Sequence, residues 1–132
     1  MPDTPLITGL HTVGVPVTDQ DAALAFYRAL GFETRLDVPM AEGARWIEVA
    51  PPGAAVSLAL EPARSDRPPG TETGVRLTTG DADAANAALR AHVDDVLRWR
   101  GVPPMFAFRD QDGNGLEIAG EASTRAGGRR RS

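Results

Sequence analysis

Few residues of this 132-residue chain can do chemistry. It has no cysteine, and all fourteen basic residues are arginine, so thiolate ligation, thiol redox chemistry and Schiff-base catalysis through a lysine amine are excluded. The histidines are His11 and His92. His92 falls near the C-terminal end of a helical stretch, where a cation is favourable, and reads as structural. His11 lies in the alternating segment 6–17, on the face of Val13, Val15 and Val17. There it reads as a core or subunit-contact histidine unless a β-bulge turns it over. Glu117 alternates with Leu116 and Ile118, so if those pack under helices it faces a cavity. A carboxylate in that position needs a partner. Arg76 is one candidate and a metal ion is another, and without a metal the residue is a candidate acid–base group. Trp46, Trp99, Phe106 and Phe108 sit on strand-like segments, where they either wall an apolar pocket or fill the core. Arg76 with Glu117 would form the polar end of such a pocket.

An internal repeat positions these residues. Residues 19–29, DQDAALAFYRA, return at 81–91 as DADAANAALRA, with seven of eleven positions identical at an offset of 62. A repeated unit of this size gains its core from its partner, which predicts one domain of two similar halves. The first half, 6–61, reads as a strand at 6–17, a helix opened by Thr18 and Asp21 and closed by Gly31, and strands at 32–38, 44–50 and 55–61. The apolar stripe of the helix is Ala22, Phe26, Ala29 and Leu30. Residues 62–72 read as a linker, rich in Pro, Arg and Gly. The second half, 73–119, repeats the order, with a strand at 73–79, a helix at 81–92 and strands near 95–100, 105–109 and 116–119. Asp112–Gly115 forms the last turn, with glycine and asparagine available for positive φ. The prediction is an α+β fold of two tandem βαβββ modules over residues 1–120, followed by a disordered arginine-rich tail at 121–132.

Charge narrows the partners. The formal charge is −4, and because the tail is net +3 the body carries −7, which argues against nucleic acid. No apolar run approaches a membrane span, and Met1–Leu10 lacks the features of a signal peptide, so a cytoplasmic location is expected and no membrane partner. No Gly-rich phosphate loop, nucleotide fingerprint or nucleophile elbow is present, and GDADAAN lacks the ligand order of a calcium loop.

The paired βαβββ pattern, the AFYRALGF segment after the first strand and the terminal FRDQDGNGLEI resemble the vicinal oxygen chelate superfamily over residues 6–119. That group includes glyoxalase I, extradiol dioxygenases, fosfomycin-resistance enzymes and bleomycin-binding proteins. The resemblance implies mixed sheets curled around a shared cavity, often in a homodimer, and in the enzymes a divalent metal held by strand residues. By that pattern Glu117 occupies the last carboxylate ligand position. The first-strand position falls on Thr12, one residue past His11, the second-half histidine position falls on Gly74, and the fourth-strand position lies near Ser57 and Leu58. Only Glu117 of four expected ligands is clearly present, with Glu72 a substitute if its strand shifts. The resulting expectation is binding of a small organic molecule, in a resistance, carrier or sequestration role, by a protein with a degenerate metal site. The cofactor is then either none or a divalent ion such as Mn, Fe, Ni or Zn. The alternative is a glyoxalase-like lyase or dioxygenase in which Glu117 and His11 hold the metal.

Overall fold

The structure, a computed structural model, describes residues 3–97 and 105–121. It divides into two compact units at Pro69–Gly70. The first contains β1 (Thr12–Val17), α1 (Gln20–Ala29), β2 (Glu33–Pro39), β3 (Arg45–Ala50) and β4 (Ser57–Pro62). The second contains β5 (Glu72–Thr79), α2 (Ala82–Ala88), a 3₁₀ turn at Arg90–His92, β6 (Val93–Leu97), β7 (Met105–Arg109) and β8 (Gly115–Gly120). Each unit is βαβββ, and the fold class is α+β as the repeat predicts. The sheets run β1-β4-β3-β2 and β5-β8-β7-β6. In each, the first and last strands of the module pair in parallel and the other neighbours pair antiparallel, which makes both sheets mixed.

The repeated aspartates explain where the helices begin. Asp19 caps α1 by accepting from the backbone N–H groups of Asp21 and Ala22, and Asp81 caps α2 through Ala84. The cap is thus Asp19 and not Thr18, and the buried stripe lies one residue, about 100° around the helix, from the expected one. Ala23 and Tyr27 are fully buried, whereas Ala22 and Ala29 face solvent. Gly31 closes α1 as expected. Its φ of 101° is open to glycine, and the N–H groups of Gly31 and Phe32 return to the carbonyls of Arg28 and Tyr27. Gln20 ties the first turn of α1 to the sheet, donating to the carbonyls of Arg45 and Leu60 and accepting from the N–H of Arg45.

Helix α1 packs on β2, β3 and β4. Ile47, Val49, Leu58 and Leu60 join Val15, Val17 and Tyr27 in the core of this unit. The first strand is shorter than its alternation suggests. Its parallel partner β4 starts at Ser57 opposite Thr12, the Ser57 N–H still reaches the His11 carbonyl, and residues 6–10 have no strand partner among the described residues, with Leu6, Ile7 and Leu10 exposed. Among the described residues, no helix is long and apolar enough to cross a membrane.

In the second unit the predicted helix 81–92 breaks after Ala88 into the 3₁₀ turn that carries His92. The last turn also differs from expectation. Gly113 takes the positive φ, 80°, while Asn114 is fully buried and acts as a hydrogen-bond node. Its Oδ1 accepts from the N–H groups of Gly70 and Thr71, and its Nδ2 donates to Asp110 Oδ2. Trp99 and the tail beyond residue 121 lie outside the described residues.

Candidate functional site

Strand alternation gives each sheet one face toward its helix and one open face. On β3, Ile47 and Val49 go to the core of the first unit, so Trp46 and Glu48 belong to the open face. Cross-strand register extends that face: Leu36 stands opposite Glu48, Val38 opposite Trp46, and Ala59 opposite Glu48 on the other side. Leu36 and Val38 remain 40% exposed, an apolar border around a carboxylate that is itself 93% buried.

Sequence reasoning missed Glu48, and it organises this face. Its Oε2 accepts from Trp46 Nε1 at 2.7 Å, and its Oε1 accepts from the Ser57 hydroxyl at 2.9 Å. Ser57 lies 2.9 Å from Thr12 Oγ1, which donates to the Ser57 carbonyl. His11 Nε2 is 3.5 Å from Glu48 Oε2. Donation from Trp46, supported by Ser57 and by the nearby His11 ring, holds the Glu48 carboxyl below its ordinary pKa against the opposing effect of burial. The group is therefore ionised at neutral pH. A signal was present in RWIEVA, where one glutamate interrupts the apolar run after Arg45 and shares a strand face with the tryptophan two residues before it.

His11 itself does not enter the core. It precedes β1, its side chain is 82% exposed, and the β1–β4 register is unbroken from Thr12 to Val17, with no bulge to reposition it. The expected valine-face histidine is replaced by an exposed imidazole beside Glu48.

The open face of the second unit is built differently. Leu116 and Ile118 are buried and Glu117 lies between them on the other face, as alternation predicts. Arg76 Nε donates to Glu117 Oε1 at 2.7 Å, so the arginine pairing read from the sequence is formed. Glu72 pairs with Arg109 at 2.6 Å and lies so close over Gly115 that a Cβ there would collide with the carboxylate. Gly74, at the β5 irregularity, adopts a φ of 76°. Phe106 and Phe108 are 2% and 0% exposed and stand opposite Ile118 and Leu116 in the register. Both belong to the packed face, opposite in sense to Glu117, which corrects their reading as pocket walls.

A divalent ion needs several oxygen or imidazole ligands. In the first unit the Glu48 oxygens are engaged by Trp46 and Ser57, and in the second Glu117 and Glu72 are each engaged by an arginine. Among the described residues no three His, Cys, Asp or Glu side chains gather in a group that could hold a metal. Within each unit, the described residues do not fit a divalent ion.

Residues 9–118 match the family model of the Glyoxalase/Bleomycin resistance protein/Dioxygenase superfamily. Over 58 residues the chain is 41% identical to the uncharacterised protein YetH of Bacillus subtilis strain 168, a match spanning 43% of this chain and about half of that one, 48%. Two solved structures from Streptomyces sp. CB03234 are similar over most of their length. TnmS3, an antibiotic binding protein, is 34% identical with a TM-score of 0.79, covering 90% of this chain and 100% of that one. A glyoxalase/bleomycin resistance protein is 36% identical with a TM-score of 0.72, covering 84% and 99%.

Proposed function

The chain belongs to the glyoxalase/bleomycin resistance protein/dioxygenase superfamily, and from that premise we propose that it binds a small, largely apolar organic molecule on the open face of the β1-β4-β3-β2 sheet. The carrying observation is the arrangement around Glu48: a buried carboxylate held by Trp46 and Ser57 and bordered by half-exposed Leu36 and Val38. Apolar walls with a few fixed polar groups are the usual composition of a small-molecule site, in which area provides affinity and the polar group provides orientation. The similarity to TnmS3, described as an antibiotic binding protein, supports a ligand of that general kind and a sequestration or carrier role. The residues that would have to hold a catalytic metal are engaged elsewhere, so the binding reading is preferred over the lyase or dioxygenase.

The test is a fluorescence titration of a Trp99→Phe chain, whose remaining indole is Trp46, against planar aromatic antibiotics and metabolites. At least one compound is expected to quench Trp46 saturably. The double variant Leu36→Ala, Val38→Ala should weaken that compound by roughly tenfold, the effect of losing part of two apolar side chains from the contact. Both residues are half-exposed, so the fold should tolerate the change. Unchanged affinity in the double variant, or no saturable quenching by any compound, would refute the proposal.

A further inference from the structure

We infer that the molecule taken by this face carries a protonated amine or a similar organic cation, and that Glu48 recognises its charge; the inference rests on the ligand site proposed above. The carboxylates on the two open faces differ in their partners. Glu117 has Arg76, Glu72 has Arg109, and Glu61 has Arg67 at 3.8 Å. Glu48 is the most buried of the four, with 9% of its side chain exposed, yet no guanidinium reaches it among the described residues. Its partners are an indole N–H, a hydroxyl and the exposed His11 imidazole.

The modules place these groups at matching levels. Glu48 faces Ala59 across β3 and β4, and in the second unit Ala107 faces Glu117 across β7 and β8. Each module therefore carries one carboxylate in the same cross-strand pair, moved to the neighbouring strand, and only the second carries an arginine to neutralise it. The indole N–H and the hydroxyl orient the anion without cancelling its charge, the imidazole nearby is 82% exposed to water, and a buried carboxylate with no close guanidinium is costly. A ligand cation entering between Trp46 and Leu36 would cancel it. A carboxylate has about four lone-pair directions, so the existing partners leave room for one more donor. The Trp46 ring beside it is the best of the aromatic faces for a cation.

The experiment compares proflavine, a planar tricyclic cation at neutral pH, with acridone, a neutral planar tricycle, each followed by its own fluorescence anisotropy. The native chain should bind proflavine at least about tenfold more tightly, the effect of one charge-assisted hydrogen bond, and added salt should weaken proflavine alone. In the Glu48→Gln chain, which can still accept from Trp46, the preference for proflavine over acridone should collapse to about twofold. Equal binding of the two probes by the native chain, or a preference that survives Glu48→Gln, would overturn the inference and leave the apolar site standing. Failure of both probes to bind would overturn the inference together with the site beneath it. Should Glu48→Gln not fold, the native preference and its salt dependence decide the question alone.

Discussion

Replacing Phe108 with alanine is expected to destabilise the chain by about 3–5 kcal/mol, the range for deleting a fully buried aromatic ring. The ring is 0% exposed and stands opposite Leu116 in the β7–β8 register, so truncation removes apolar contacts and leaves a cavity. A loss of that size is a large part of the roughly 5–15 kcal/mol that holds an ordinary domain together. Denaturant unfolding of the two chains measures it. A loss below about 1 kcal/mol accompanied by a large change in ligand affinity would return Phe108 to a pocket wall and would require a different face for β7.

The second large effect belongs to Asn114, and it is polar in origin. Truncation to alanine leaves the N–H groups of Gly70 and Thr71 and one oxygen of Asp110 without the partner Asn114 provides. A deprived group costs about 1–3 kcal/mol when buried, as Asp110 is, and less at exposed Gly70 and half-buried Thr71, so a total of about 2–4 kcal/mol is expected. The signature is local, because these bonds fasten the start of the second unit to its last turn. Amide exchange at Gly70 and Thr71 should accelerate in Asn114→Ala more than exchange at Val49 in the first unit. Equal acceleration everywhere, or none, would show that Asn114 does not serve as the fastening point.

Much of the fold was legible because it was written twice. The 62-residue offset located both helices, and the capping aspartates at 19 and 81 occupy the same place in each module. Alternation oriented β8 correctly, placing Leu116 and Ile118 inward and Glu117 outward. Boundaries were harder to read. Residues 6–10 alternate like a strand yet have no strand partner among the described residues, since pairing depends on where β4 begins, a contact 45 residues away. The cap of α1 was misread because Thr18 and Asp19 both have side chains able to cap, and only geometry decides between them.

The site was less legible than the fold for a similar reason. The family pattern directs attention to Thr12 and the Ser57 region as ligand positions, and both do meet there, as hydroxyls. The carboxylate that completes the cluster comes from β3, an element the pattern did not single out. Trp46 was selected as a pocket residue, but its chemical role comes from its neighbour two positions along the strand, to which it donates. Phe106 and Phe108 show the converse: aromatic character alone does not indicate which face a residue occupies, and the alternation of β7 against Ala107 and Arg109 does.

The central claim is that a ligand sits on Trp46 and Glu48, and the most direct measurement is the Trp46 indole N–H resonance during a proflavine titration. Loss of the signal in a Trp46→Phe chain identifies it. That N–H donates to Glu48 at 2.7 Å, so a cation arriving at the carboxylate must change its environment. The account predicts a saturable shift that follows the same binding curve as proflavine anisotropy. A resonance that stays fixed while proflavine binds would place the ligand elsewhere and contradict it.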